Sequence, residues 1–165
     1  MKTTQLTAEI LRKKSFLCVG LDVDMEKVPL VFRNSPTALV DFSKAIIDAT
    51  VDYAVAYKPN IAFFETYGVE GMAALKEVID YLNEKHPEIF TIADAKRGDI
   101  GNTSTRYAKA YFETLGFDAI TVAPYMGKDS VEPFLAFDEK HTILLTLTSN
   151  PGSNDFQRIE AHGKP

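Results

Sequence analysis

Five short runs of apolar residues are spaced along the chain: Phe16-Leu17-Cys18-Val19-Gly20-Leu21, Tyr53-Ala54-Val55-Ala56-Tyr57, Ile89-Phe90-Thr91-Ile92-Ala93, Ala119-Ile120-Thr121-Val122 and Thr142-Ile143-Leu144-Leu145-Thr146-Leu147. They are nearly continuous rather than alternating with polar residues, which predicts strands covered on both faces, as in parallel sheets. The segments between them repeat at helical spacing. Ser35-Pro36 reads as an N-cap followed by proline at the first helical position, after which Leu39, Val40, Phe42, Ile46 and Ile47 recur. A second helix is predicted from Val69 to His86, stopped by Lys85-His86-Pro87, and a third from Thr103 to Leu115, with Gly116 as its C-cap. A shorter one is predicted from Ser130 to Phe137. Strand and helix alternate without a composition break, so the chain reads as one α/β domain with right-handed crossovers. Two architectures fit. The strand starts are about 31 residues apart, the length of one unit of a (β/α)8 barrel, but such a barrel needs roughly 250 residues. On periodicity alone, 165 residues favour a five-stranded doubly wound sheet.

Composition removes several classes of function. With 45% hydrophobic residues and a net charge of −5, the chain can bury a core and is a poor match to disorder. Eight prolines and nine glycines argue against a coiled coil. No run approaches the roughly 18 apolar residues of a membrane helix, and Met1-Lys2-Thr3-Thr4-Gln5 has no signal core. The single cysteine, Cys18, makes no internal disulfide and fits a reducing, cytoplasmic setting. An acidic chain without a basic cluster does not read as a nucleic-acid binder. His86, His141 and His162 lack metal-ligand spacing and read as surface residues, and Cys18 reads as a small core residue. Phe63 and Phe64 read as packing for a short helical turn.

The charged residues change the architecture. Asp22 follows the first strand, Lys58 the second, Asp94 and Lys96 close the third with Asp99 just beyond, and Ser149-Asn150 follow the fifth. All sit at carboxyl ends of strands, the rim where α/β folds bind ligands. Charge after an apolar strand is costly to desolvate unless paired, so its repetition on one rim points to a polar site. Residues two apart on a strand share a face, so Asp94 and Lys96 are expected to project together. Gly98 and Gly101 then allow a sharp turn, and Asn102 or Thr103 is expected to cap the following helix.

Asp94-Ala95-Lys96-Arg97-Gly98-Asp99-Ile100 resembles the Asp-x-Lys-x-x-Asp signature of the orotidine 5′-monophosphate decarboxylase family. Tyr57-Lys58-Pro59-Asn60-Ile61-Ala62-Phe63-Phe64-Glu65 is similar to the segment carrying that family's second-strand lysine, in the form of its longer bacterial branch. Val19-Gly20-Leu21-Asp22 resembles its first-strand aspartate segment and Thr148-Ser149-Asn150-Pro151-Gly152-Ser153 its fifth-strand end. Four segments in order, spread from Phe16 to Ser153, are far more specific than one motif.

The resemblance implies a (β/α)8 barrel that forms homodimers and uses neither metal nor organic cofactor. It implies conversion of orotidine 5′-monophosphate to uridine 5′-monophosphate and carbon dioxide, the last step of de novo UMP synthesis. By position, Lys58, Asp94, Lys96 and Asp99 form the charged catalytic array. Asp99 reaches into the partner subunit's site with Ile100 and Thr103 beside it, Asp22 and Lys58 contact ribose hydroxyls, and Ser149 meets the pyrimidine. Loss of carbon dioxide from C6 leaves a carbanion with no adjacent carbonyl to absorb charge, so a fixed cation at Lys96 stabilises it and then donates the proton. Asp94 near the substrate carboxylate raises the ground state. Against this pattern, residues 1–165 are one incomplete barrel domain holding about the first five strands, with open edges at the first and fifth. The family's phosphate-gripping glutamine and arginine fall beyond position 165, so little activity is expected of the chain alone. The rivals are a metal-dependent sugar-phosphate lyase or aldolase of the same superfamily, against which Lys58-Pro59-Asn60 and Thr148-Ser149-Asn150-Pro151 speak, and a non-catalytic five-stranded binding module.

Overall fold

The computed structural model describes residues 1–160. The elements, in order, are α1 (Thr3–Lys13), β1 (Leu17–Leu21), α2 (Leu30–Arg33), α3 (Ala38–Thr50), β2 (Ala54–Pro59), α4 (Ile61–Glu65), α5 (Gly68–Lys85), β3 (Phe90–Arg97), α6 (Gly101–Lys109), β4 (Ala119–Val122), α7 (Lys128–Leu135) and β5 (His141–Leu144). A π-helical turn, Ala110–Thr114, continues α6, and a 3-10 turn, Pro151–Asp155, follows β5. The strands begin within one residue of the positions that the apolar runs predict, although β5 is two-thirds of the expected length.

All five strands are parallel and lie in the order β1-β2-β3-β4-β5. A doubly wound sheet reverses direction at a switch point, and this sheet never does. The order is that of consecutive strands in a barrel, so the expectation from periodicity alone is corrected. Local patterning could not settle this, because strand order is not written in any one strand.

Side chains on the outer face of the sheet meet the helices. Leu21, Tyr57, Ala93, Ala95, Ile120 and Val122 form one buried cluster with Ile47 of α3, Leu75, Val78, Ile79 and Leu82 of α5, Ala108 of α6 and Phe134 of α7. Tyr57 is fully buried yet satisfied, its hydroxyl donating to Ile47 O (3.1 Å) and lying 2.6 Å from Thr50 Oγ1. The opposite, inner face is floored by Ala56, Phe90 and Ala119 with Met1, Leu6 and Ile92.

Several boundaries differ from expectation. α1 has no counterpart in the patterning. It is a largely polar helix with no buried residue, held by Leu6 on the inner floor and by Lys13 Nζ, which donates to Val51 O and Ala54 O at 2.6 and 2.8 Å. α3 starts at Ala38 with Thr37 at its N-cap. Ser35 instead donates to Asp41 Oδ2 (2.7 Å) and accepts from Thr37 N, a local turn that competes with the cap. α7 runs two residues earlier than predicted. Cys18 is exposed, not core. It lies on edge strand β1 in register with Ala56, away from the helix-packed outer face. His141 is half-buried, with Nε2 2.8 Å from Met1 O and its ring edge against Phe90, because β5 begins one residue earlier than its apolar run. His86 caps the end of α5, half-buried and edge-on to Tyr81. His162 lies outside the described residues. Among the described residues no helix is long and apolar enough to cross a membrane.

Candidate active site

The parallel register of β1, β2 and β3 brings their carboxyl ends to one rim. Lys58, in register with Gly20, is the penultimate residue of β2, with Pro59 closing the strand and Asn60 following it. Asn60 Oδ1 accepts from Ala62 N (3.3 Å) and caps α4, while the Asn60 backbone pairs with Asp94 as an isolated parallel bridge. This bridge holds the two strand ends together beyond the regular ladder.

Three charged side chains meet there. Lys58 Nζ donates to Asp94 Oδ2 at 3.1 Å, and Lys96 Nζ donates to Asp94 Oδ1 at 2.5 Å. The carboxylate thus sits between two ammonium groups, one on each oxygen. Its side chain is 13% exposed, against 36% for Lys58 and 53% for Lys96. Burial pushes the Asp94 carboxyl upward, and hydrogen bonds and charge from Lys96 and Lys58 outweigh it, holding the group below its ordinary value. A hydroxyl completes the cluster: Thr121 of β4 donates to Asp94 Oδ1 at 3.1 Å. The result is a fixed anion flanked by cations that also face solvent.

Asp94 and Lys96 do project together, but not by simple alternation. β3 bulges against β4 between Ala93 and Arg97, and Lys96 takes a left-handed backbone with φ 48°. Such a conformation is rare for a residue with a side chain and clusters at functional sites.

The β3–α6 turn carries the remaining acidic position. Asp99 Oδ1 accepts from Ile100 N (2.7 Å), and Asp99 N donates to Ser104 Oγ (3.0 Å). Asp99 makes no hydrogen bond or ion pair with Lys58, Asp94 or Lys96. Ile100 and Thr103 are exposed at the start of α6. The helix begins at Gly101 with Ile100 at its N-cap, so Asn102 and Thr103 lie inside the first turn and neither caps it. Buried Ser104, whose hydroxyl lies 2.7 and 2.8 Å from the carbonyls of Asp99 and Ser130, ties the turn down instead. A Cβ on Gly98 would meet Ala123 O at 2.6 Å, so glycine is what lets the turn pass against β4. Asp22 is exposed just past β1, and Ser149 is exposed in the segment after β5.

Three residues of this rim escape the sequence reading. Thr121 is the lone polar residue of an apolar strand, a signal that could have marked it. Arg97 is anchored by Glu65 of α4, by donation to Ala95 O (2.8 Å) and by the rings of Tyr107 and Tyr111, each 5.6 Å away. Ser104 looks like any small helical residue until its burial is known. Tyr111 itself is buried in the core.

A family model described as "Orotidine 5'-phosphate decarboxylase / HUMPS family" matches residues 15–164. A curated relative named orotidine 5′-phosphate decarboxylase from Flavobacterium johnsoniae is 63% identical over 99% of this chain and 60% of its own length. One of the same name from Bacteroides fragilis is 56% identical over 97% of this chain and 58% of its own. Among solved structures, an orotidine-monophosphate decarboxylase from Toxoplasma gondii superposes with a TM-score of 0.91 at 36% identity, covering 99% of this chain and 55% of that one. The OMP decarboxylase of Leishmania donovani superposes with 0.85 at 42% identity, over 99% and 61%. The chain spans about 60% of the length of the curated relatives it matches. Its five parallel strands are those of a (β/α)8 barrel. The sequence match, the superposition and the charged strand ends agree, and the chain belongs to the orotidine 5′-phosphate decarboxylase / HUMPS family.

Proposed function

We propose that this chain supplies the charged half of an orotidine 5′-monophosphate decarboxylase site, making uridine 5′-monophosphate in the last step of de novo UMP synthesis in the cytoplasm. The observation that carries this is the Asp94 carboxylate held between Lys58 and Lys96 at the ends of β2 and β3. Lys96 is the cation placed beside C6 of the pyrimidine. It stabilises negative charge as the bond to the carboxylate breaks, and its proton then goes to C6. Asp94 holds the Lys96 ammonium in place through its hydrogen bond and, close to the substrate carboxylate, destabilises the bound ground state. Asp22 and Lys58 take the ribose hydroxyls, and Ser149 takes the pyrimidine. Two ammonium groups on Asp94 repel a divalent cation, which disfavours a metal-dependent lyase at this rim.

Asp99 acts in the site of a second copy within a homodimer, with Ile100 and Thr103 beside it. Its lack of contact with the other three charges in one copy supports this reading. The chain alone turns over little substrate, consistent with its span of about 60% of its relatives' length. The test is a hybrid barrel: residues 1–160 of this chain joined to the remaining portion of the Flavobacterium johnsoniae relative. Loss of the orotidine absorbance with release of carbon dioxide, unaffected by EDTA, is the expected result. A folded hybrid that converts no substrate, or whose activity EDTA removes, overturns the proposal.

A further inference from the structure

Paired strands ordinarily match residue for residue. Between β3 and β4 they do not: Ala93 pairs with Ile120 and Arg97 with Val122, so Asp94, Ala95 and Lys96 all lie opposite Thr121 alone. Surplus residues in a bulge lose their ladder partners, and a buried N–H left without one is costly. Here the Thr121 side chain takes their place. Its Oγ1 accepts from Ala95 N at 3.0 Å and from Lys96 N at 2.9 Å. A threonine hydroxyl has two acceptor positions and one proton. With both acceptor positions filled, the proton has two oxygens in reach: Asp94 Oδ1 at 3.1 Å and Ala93 O at 3.5 Å. The nearer one is charged and makes the stronger bond. All the hydrogen-bonding capacity of one buried side chain is therefore spent on three consecutive residues of the site.

We infer that Thr121 is a positioning residue for the Asp94–Lys96 pair: its hydroxyl closes the bulge in β3 and fixes which carboxylate oxygen of Asp94 faces Lys96. The left-handed backbone of Lys96 is held by this bond, since its amide reaches Thr121 Oγ1 in that conformation. The assignment rests on the proposed function only for the chemistry that the pair performs. The geometry stands without it.

The test compares Thr121→Val, which keeps the shape and loses the hydroxyl, with Thr121→Ser, which keeps the hydroxyl. It is made by NMR on the 165-residue chain, following the Asp94 carboxylate carbon through an acid titration and the amide exchange of Ala95 and Lys96. The charged groups facing Asp94 are Lys58 from β2 and Lys96 on β3 itself. In Thr121→Val the Asp94 midpoint moves upward and the two amides exchange on the order of tenfold faster, the scale of one lost hydrogen bond. Thr121→Ser restores both. An unmoved Asp94 midpoint in the valine variant, or a serine variant that behaves like valine, overturns the inference. Should the valine variant fail to fold, the native protein decides: a protected Lys96 amide supports the assignment, and one exchanging at the unprotected rate contradicts it. No substrate enters these readouts, so their failure is distinct from failure of the decarboxylase reading.

Discussion

Asp94 sets the electrostatics of the rim. Removing its charge leaves two ammonium groups facing each other across the gap it filled, and Asp94→Asn is predicted to cost about 1–2 kcal/mol in urea unfolding, the partial exposure of both lysines limiting the loss. The sign with pH follows from the depressed carboxyl. A group whose folded value lies below its unfolded one stabilises above the unfolded value, near 3.9 for aspartate, and this stability fades as pH falls through the folded value. Native protein is therefore expected to lose stability on acidification below about pH 4 more steeply than Asp94→Asn. Parallel curves for the two proteins would show that the ion pairs contribute nothing to the fold.

At the scale of elements, the β3–α6 connection is the most constrained segment. Gly98 passes so close to Ala123 O that any side chain must push β4 away or distort the turn. Gly98→Ala is predicted to destabilise by about 1–3 kcal/mol, the usual cost of overpacking, and to disturb amides from Asp94 to Ser104 in the NMR spectrum before those of α3 or α5. A variant as stable as the parent would mean the turn yields freely. What sequence makes legible at this scale depends on how local the cause is. Strands covered on both faces announce themselves as apolar runs, and the rim charges stand out because they end such runs. α1 is silent because it is held by one apolar side chain, Leu6, and by the hydrogen bonds of Lys13, which make no apolar stripe. The exposure of Cys18 depends on what covers the inner face, which no local pattern encodes. The bulge at Asp94–Lys96 is equally hidden, since it exists only in the register between β3 and β4. The Asp-x-Lys spacing nevertheless predicts the pair correctly, although the backbone achieves it by a left-handed residue and not by plain alternation.

At the scale of the molecule, the open sheet has unpaired edges at β1 and β5. Leu17 and Leu144 are each 44% exposed there, and Ile143 is 38% exposed. Edges of this kind invite pairing with another chain unless blunted by charge. The 165-residue chain is predicted to self-associate with rising concentration in sedimentation velocity, and Leu144→Lys to reduce that association. Unchanged association in the variant would place the contact elsewhere. The cluster of Lys58, Asp94, Lys96 and Thr121, by contrast, is already assembled by β2, β3 and β4.

In the proposed function, Lys96 supplies both the charge and the proton for decarboxylation. The most direct test is the rate of orotidine 5′-monophosphate conversion by the hybrid barrel with and without Lys96→Ala, followed by ultraviolet absorbance at saturating substrate. Turnover is predicted to fall by about a thousandfold or more in the variant. A folded variant that retains turnover within a few-fold of the parent would show that Lys96 supplies neither.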